Sequence, residues 1–328
     1  MKRALITGIS GQDGSFLSEL LLEKGYEVHG IIKRESIEDP DHKLPNIRHL
    51  LGKIHLHQGS LTDHLSLYKL FQKVQPDECY HLAASSFVSY SFAHETEILN
   101  SHFTGTHHLL ATILEVRPTC RFFFAGSSEM FGEPSVSPQN EDTPFNPKSI
   151  YGISKVASLH LIRNYRQKEK MHASVGILYN HESPRRGRQF VTRKITSTVA
   201  RIKLGLAKEL VLGNLDAHRD WGYAPDTVNA MWQMLQQPEP DDYVLATGKL
   251  HTVREFVTLA FSAAGLDHRD FVKTDEKFFR ASEKNPLCGD SSKAQKKFGW
   301  ECGKPLREII REMIEEDLKR VGSGGDAA

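Results

Sequence analysis

The chain reads as an α/β protein, a doubly wound parallel sheet joined to a second, smaller α/β domain. Two observations predict this. In the first half, short β-branched runs alternate with amphipathic stretches, the pattern of a parallel sheet with helices on both faces. After about Leu178 the pattern loosens and becomes loop-rich and basic, centred on Pro184-Arg185-Arg186-Gly187-Arg188. Strands are expected at Ala4–Thr7, Val28–Ile32, Ile54–Gln58, Glu78–Ala83, Arg121–Ala125 and Ser174–Leu178. Between the first two lies a helix with Phe16, Leu17, Leu20 and Leu21 on one face and Gly25 as its C-terminal cap. Further helices are expected at Leu65–Val74, Glu97–Val116, Tyr151–Gln167, Val191–Leu204 and Leu306–Val321, the last turning Ile309, Ile310, Met313 and Ile314 to a core. The domain division follows: residues 1–178 form the first domain and 179–328 a discontinuous second one, with part of 218–250 returning to the first. Residues 322–328 are small and read as a flexible tail.

With 328 residues, 25% charged and 39% hydrophobic, the composition is that of a soluble globular protein. A net charge of +1 calls for neither nucleic acid nor a membrane surface as partner. No apolar run approaches the ~20 residues that span a bilayer. Met1-Lys2-Arg3 leads into a strand and not into a signal peptide, so a cytoplasmic location is expected. Cys79, Cys120, Cys288 and Cys302 are widely spaced and form no CxxC pair, so neither a disulfide nor a metal is expected. His107-His108 and His55-x-His57 lack an accompanying ligand set.

Gly8-Ile-Ser-Gly11-Gln-Asp-Gly14 directly follows the first strand and opens the first helix. Glycine there permits a tight turn and a close approach of backbone to a pyrophosphate, whose charge the helix N-terminus stabilises. A Gly-rich turn alone can be only a turn. With the strand before it and the amphipathic helix after it, the segment reads as the dinucleotide loop of a Rossmann-like domain. The second strand ends Ile31-Ile32-Lys33-Arg34, where an NAD enzyme usually places a carboxylate. A guanidinium at that point grips the 2′-phosphate of NADP, so NADP is the expected cofactor; Glu35 keeps a solvated basic turn as the alternative.

Tyr151-Gly-Ile-Ser-Lys155 puts a phenol and an amine on one face of a helix. A nearby ammonium favours the phenolate, which makes Tyr151 a candidate base with Lys155 as its helper. After the fifth strand comes Gly126-Ser127-Ser128-Glu129, where the Ser127 hydroxyl can bridge substrate and phenol. Glu129 is the more informative residue. A reductase or epimerase needs no acid or base at a neighbouring carbon, whereas a dehydratase must remove a proton beside its new ketone.

The chain resembles the GDP-mannose 4,6-dehydratase family, of the extended short-chain dehydrogenase/reductase superfamily, over nearly its whole length. The resemblance lies in Ala4–Gly14, Leu22–Gly30, Ser127-Ser-Glu129 and Tyr151-x-x-x-Lys155, and above all in Asn180–Gly187, Phe190–Lys194 and Leu212–Gly222. It implies a lyase that converts a GDP-hexose to its 4-keto-6-deoxy sugar plus water through transient hydride transfer to NADP. Catalysis would fall to Ser127, Glu129, Tyr151 and Lys155. The cofactor would be held by Gly8, Gly11, Gln12, Asp13, Gly14, Arg34, Ser60, Leu61, Leu82, Ala83, Ala84 and Ser86, with Tyr151, Lys155, His181 and Arg186. The sugar nucleotide would meet Ser85, Ser128, Asn180, Val191, Arg193, Lys194, Gly213, Asn214, Arg219, Arg280 and Glu283.

Four departures from the family pattern stand out. Ser127 replaces the usual Thr, and Ser60 replaces an Asp that would bond the adenine amine. Glu35-Ser36 replaces a serine pair in a loop that, in the family, reaches a neighbouring subunit, and the segment to Ile54 is short. Ala281–Cys288 also differs, in a stretch where the resemblance would let sugar specificity be set. A homodimer through the Glu97–Val116 and Tyr151–Gln167 helices is implied, and a tetramer stays open. So do two other classes: a sugar-nucleotide 4-reductase or 4-epimerase, and a non-enzymatic NADP-binding sensor.

Overall fold

The computed structural model describes residues 1–84, 95–275, 277 and 285–324. Ser85, Ser86, Arg280 and Glu283 lie outside the described residues. In chain order the first half contains β1 (Arg3–Thr7), α1 (Gln12–Glu23), β2 (Glu27–Ile32), α2 (Arg34–Glu38), α3 (Pro40–Lys43), β3 (His55–Gln58), α4 (His64–Val74), β4 (Glu78–His81) and α5 (Glu95–Leu99). It continues with α6 (Gly105–Val116), β5 (Arg121–Ala125), α7 (Ile150–Lys168) and β6 (Ala173–Leu178). The second half contains β7 (Asn180–Glu182), α8 (Val191–Lys203), β8 (Leu210–Leu212), β9 (His218–Tyr223), α9 (Ala224–Gln236), β10 (Asp242–Leu245), β11 (Leu250–Thr252), α10 (Val253–Ala263), β12 (Val272–Thr274), α11 (Ser292–Phe298) and α12 (Leu306–Gly322).

The main sheet has seven strands in the order β10-β6-β5-β4-β1-β2-β3, and every pairing in it is parallel. Strands buried on both faces carry near-continuous apolar runs, as in Phe122-Phe123-Phe124 of β5. One face is covered by α1 and α9, whose Leu17, Leu21, Val228, Met231 and Met234 pack against Ile6 and Val28. The other is covered by α4, α6 and α7 through Leu67, Phe71, Leu109, Ile113, Leu159 and Ile162. The chain leaves β1 toward β2 on one side and resumes with β4 on the other. Their C-terminal ends therefore part at a switch point, where the crevice of an open α/β sheet lies.

The return of the chain to the main sheet falls at α9 and β10, and β10 pairs with β6. Neither element was expected from the sequence. β10 is a four-residue strand buried throughout, so it shows no alternation to read. The remaining elements build a second core in which Ile195 and Val199 of α8 meet Phe256 and Phe261 of α10 and Ile309 and Met313 of α12. The second half also holds a three-stranded sheet, β11-β9-β7.

Candidate active site

A cleft of about 2040 Å3 opens at the switch point, lined from both halves of the chain. That is roughly twice the upper end of an ordinary small-ligand pocket. Its first wall is the loop from β1 into α1, with Gly8, Gly11, Gln12, Asp13 and Gly14. A side chain at Gly14 would put its Cβ 2.4 Å from the Gly8 carbonyl oxygen, so the turn closes only with glycine there. Leu82, Ala83 and Ala84 follow from the end of β4, and the Ala83 amide donates to Thr7 Oγ1 at 3.1 Å.

Ser127, Glu129, Tyr151 and Lys155 line one part of this cleft. Ser127 caps a short 3-10 turn, its Oγ accepting from the Glu129 amide at 3.3 Å. α7 starts at the cleft edge because Ser149 caps it, accepting from the Gly152 amide at 3.1 Å. A Cβ at Gly152 would stand 2.5 Å from the Glu129 carbonyl oxygen. The glycine inside the Tyr-Lys motif is therefore what lets the helix press its tyrosine against the Glu129 turn.

Burial pushes the Tyr151 phenol up to about 12, a hydrogen bond with Ser127 pulls it back, and the Glu129 charge raises it further. Lys155 donates from Nζ to the Ala125 carbonyl at 2.7 Å, with its nitrogen 5.8 Å from the Tyr151 ring centre. Burial lowers Lys155 to about 7. Behind them lie two further buried imidazoles. His81 bonds Thr7 Oγ1 at 2.7 Å, and His102 pairs with Ser154 Oγ at 2.9 Å, its ring edge-on to Tyr151. Burial, then the Lys155 charge, holds His81 well below the usual histidine range and brings His102 to about 3.

The opposite rim belongs to β7 and the basic loop. His181 Nε2 bonds Asp13 Oδ2 at 2.9 Å, and Gln12 Nε2 donates to the His181 carbonyl at 3.0 Å. Burial alone would lower His181, but the Asp13 charge and hydrogen bond overcome it and raise the imidazole. Burial likewise raises Asp13, and His181 more than offsets this, leaving the carboxyl lowered.

The profile of the GDP-mannose 4,6 dehydratase family matches residues 5–313. The chain belongs to that family. It is 45% identical to GDP-mannose 4,6 dehydratase 1 of Arabidopsis thaliana, over 97% of this chain and 90% of that one. It is 42% identical to the GDP-mannose 4,6 dehydratase of Homo sapiens, over 99% and 93%. Among solved structures, UDP-glucose 4-epimerase from Thermotoga maritima superposes with a TM-score of 0.85 at 23% identity, covering 97% of this chain and 99% of that one. The dTDP-glucose 4,6-dehydratase from Bacillus anthracis gives 0.82 at 18%, covering 98% of each. At these identities the likeness to the solved structures is one of fold.

Most residues that the family resemblance nominates lie on the cleft wall: Ser60 and Leu61, Asn180, His181 and Arg186, Val191 and Lys194, Gly213, Asn214 and Arg219. Three stand elsewhere. Arg34 opens the short helix α2 and turns to solvent, where it pairs with Glu38 one turn on at 2.7 Å; Lys33 and Ser36 line the cleft instead. Ser128 is buried behind the Ser127 turn. Arg193 points away from the cleft into the second core, paired with Asp317 of α12. Arg185, next to Arg186 on the wall, lies over the Phe16 ring at 4.0 Å and bonds Glu19 at 2.7 Å, so it ties the loop to α1.

Asn46 and Thr62 also line the cleft, and no motif pointed to them. Asn46 Nδ2 reaches the Ser10 carbonyl at 3.2 Å from across a loop, and Thr62 Oγ1 bonds Ser60 Oγ at 2.9 Å. The Ser60–Thr62 pair stands at the position where the resemblance led to an Asp being expected, and the part of Thr62 in it is visible only in the structure.

Proposed function

We propose that the protein is an NADP-dependent GDP-sugar 4,6-dehydratase, a hydro-lyase that turns GDP-mannose or a related GDP-hexose into the GDP-4-keto-6-deoxy sugar and water. The observation that carries this reading is Glu129 on the same stretch of cleft wall as Ser127, Tyr151 and Lys155. An oxidation and reduction at one carbon would leave that carboxylate without work.

The chain's own groups fit a nicotinamide dinucleotide. The glycine turn brings the backbone and the N-terminus of α1 to the wall, and the cleft has room for cofactor and sugar nucleotide together. A nicotinamide bound there would supply reversible hydride storage between sugar C4 and C6. Tyr151, bonded to Ser127, takes the C4 hydroxyl proton. Positive charge on Lys155, which titrates near neutrality, would favour the phenolate form of Tyr151 that takes this proton. The C4 ketone acidifies C5–H; Glu129 removes that proton and delivers one to the C6 hydroxyl, which leaves as water. The proton that Tyr151 took from the C4 hydroxyl is the one left to return to C5 as C6 becomes a methyl group, so the step balances and there is no net redox. His181 and Arg186 would contact the cofactor, and Asn180, Lys194 and Arg219 the diphosphate and sugar.

The proposed enzyme works in the cytoplasm as a homodimer through the Glu97–Val116 stretch, from α5 through α6, and through α7. Leu99, Phe103 and Ile153, on α5, the turn after it and α7, support that face because they are large, apolar and exposed. No helix among the described residues is long and apolar enough to cross a membrane.

Incubation with a panel of GDP-, UDP-, CDP- and dTDP-sugars, read by mass spectrometry for loss of water, tests the reaction. Dehydration of a GDP-sugar is expected to be fastest; consumption of NADPH with a keto-sugar and no dehydration would make the protein a reductase. Glu129→Gln sharpens the assignment. It should still oxidise C4 while elimination slows by roughly 10²–10⁴-fold, so reduced nicotinamide absorbance accumulates. Full dehydration by that variant would remove Glu129 from the chemistry.

A further inference from the structure

We infer that the buried Arg193–Asp317 pair is a positioning device for Arg186, coupling the C-terminal helix α12 to the cleft wall. The inference rests on the reading of Arg186 as a cofactor contact. Arg193 sits between Thr192 and Lys194, both on the cleft wall, yet turns inward. Its side chain and that of Asp317 are each 2% exposed, so the two charges have taken each other as partner in place of water. The guanidinium is not exhausted by that pair. Nη1 also donates to Thr196 Oγ1 at 3.3 Å, and Nε donates to the carbonyl of Arg186 at 3.1 Å.

Thr192 completes the grip. Its hydroxyl donates to Glu182 Oε2 at 2.5 Å, and the same carboxylate oxygen faces Arg186 Nε at 3.4 Å. Two consecutive residues of α8 therefore hold Arg186 at opposite ends, Arg193 at its backbone and Thr192, through Glu182, at its guanidinium. The guanidinium carbon lies over the Phe190 ring, 3.7 Å from its centre. α12 reaches the same loop a second time, where Arg320 Nη1 donates to the Pro184 carbonyl at 3.0 Å.

An apolar pair of similar volume would join α8 to α12 as well as an ion pair does, because burying two charges carries a large desolvation cost. What an apolar pair cannot do is donate to the Arg186 carbonyl. The charge pair therefore aims a backbone, and through it a side chain that the cofactor is proposed to meet.

The test is the double variant Arg193→Met/Asp317→Leu, which removes both charges of the pair together and takes the guanidinium donor from the Arg186 carbonyl and Thr196 Oγ1. It should unfold in urea at or above the midpoint of the parent protein. Backbone amides of residues 183–190 should exchange hydrogen faster, and the NADPH Kd in a fluorescence titration should rise about 10-fold. Arg186→Ala should then weaken NADPH binding less in this background than in the parent. A folded double variant with parental exchange and affinity overturns the inference, as do losses that simply multiply. Arg193→Lys keeps the charge and loses the Nε donor; it should loosen the same amides, and it serves as the test if the double variant does not fold. If Arg186→Ala leaves the parent's NADPH affinity unchanged, it is the cofactor reading that fails, and the exchange experiment still decides the latch.

Discussion

At the floor of the cleft, Lys155, His81 and His102 are buried, and no carboxylate is among the groups that shift them. At the rim and in the packing behind it, burial is matched charge for charge: His181 with Asp13, Arg186 with Glu182, and, behind them, Arg193 with Asp317. The two regions share a cleft and differ in what burial does to them. On the floor, desolvation acts unopposed, so the imidazoles stay neutral and the amine titrates near neutrality. On the rim, each charge survives because a partner replaces the lost water, and the partners fix geometry. One region is tuned for proton transfer and the other for holding a shape.

The largest expected effect is on the floor. Tyr151→Phe keeps the ring against His102 and removes only the acid–base group, so the first hydride transfer should slow by roughly 10²–10⁴-fold with cofactor still bound. Stopped-flow absorbance of the nicotinamide reads this; near-parental turnover would move the base elsewhere.

At the rim the corresponding break is structural. Asp317→Ala alone leaves the Arg193 guanidinium buried without its counter-charge and should cost about 3–5 kcal/mol in urea unfolding. A loss below about 1 kcal/mol would mean that water reaches Arg193 and that the rim is not dry.

Lys155 gives the opposite sign. Its folded pKa of about 7 lies below the ordinary 10.5, so the unfolded chain binds the extra proton between those values. Stability contributed at this site is therefore present above the higher value, falls as pH drops through the window, and is flat below the lower one. Lys155→Met should abolish activity yet stabilise the fold near neutral pH, by on the order of 2 kcal/mol, and should flatten the rise of stability toward alkaline pH. A variant less stable than the parent at neutral pH would show that the amine is not an uncompensated charge.

The smallest effect belongs to a pair that only looks like the rim. Arg34 and Glu38 are 2.7 Å apart, but their side chains are 75% and 60% exposed. Glu38→Gln should change stability by less than about 0.5 kcal/mol and strengthen NADP binding slightly, since Arg34 is then free to meet a 2′-phosphate. An unchanged NADP affinity would turn attention to Lys33, which lines the cleft already.

Local pattern alone was enough for the parallel sheet, the glycine turn and the Tyr151–Lys155 helix. Each rests on an interaction of short range: alternation of strand and helix, a turn that admits no Cβ, two side chains one helical turn apart. The expected strand Arg121–Ala125 and helix Leu65–Val74 coincide with β5 and α4 to within one residue. β10 escaped because four residues buried throughout show no alternation, and its place in the main sheet is set by β6, more than fifty residues away; α9, with an amphipathic face of 13 residues, was legible and went unread. The basic loop is the sharpest case. Arg185, Arg186 and Arg193 are alike in sequence terms, yet one is tied to α1, one lines the cleft, and one is buried against α12. Residue type determined that each would seek an anionic or aromatic partner. Which partner it found depended on α1, α8 and α12 being packed around the loop, because the fate of a buried charge is decided by whatever replaces its water.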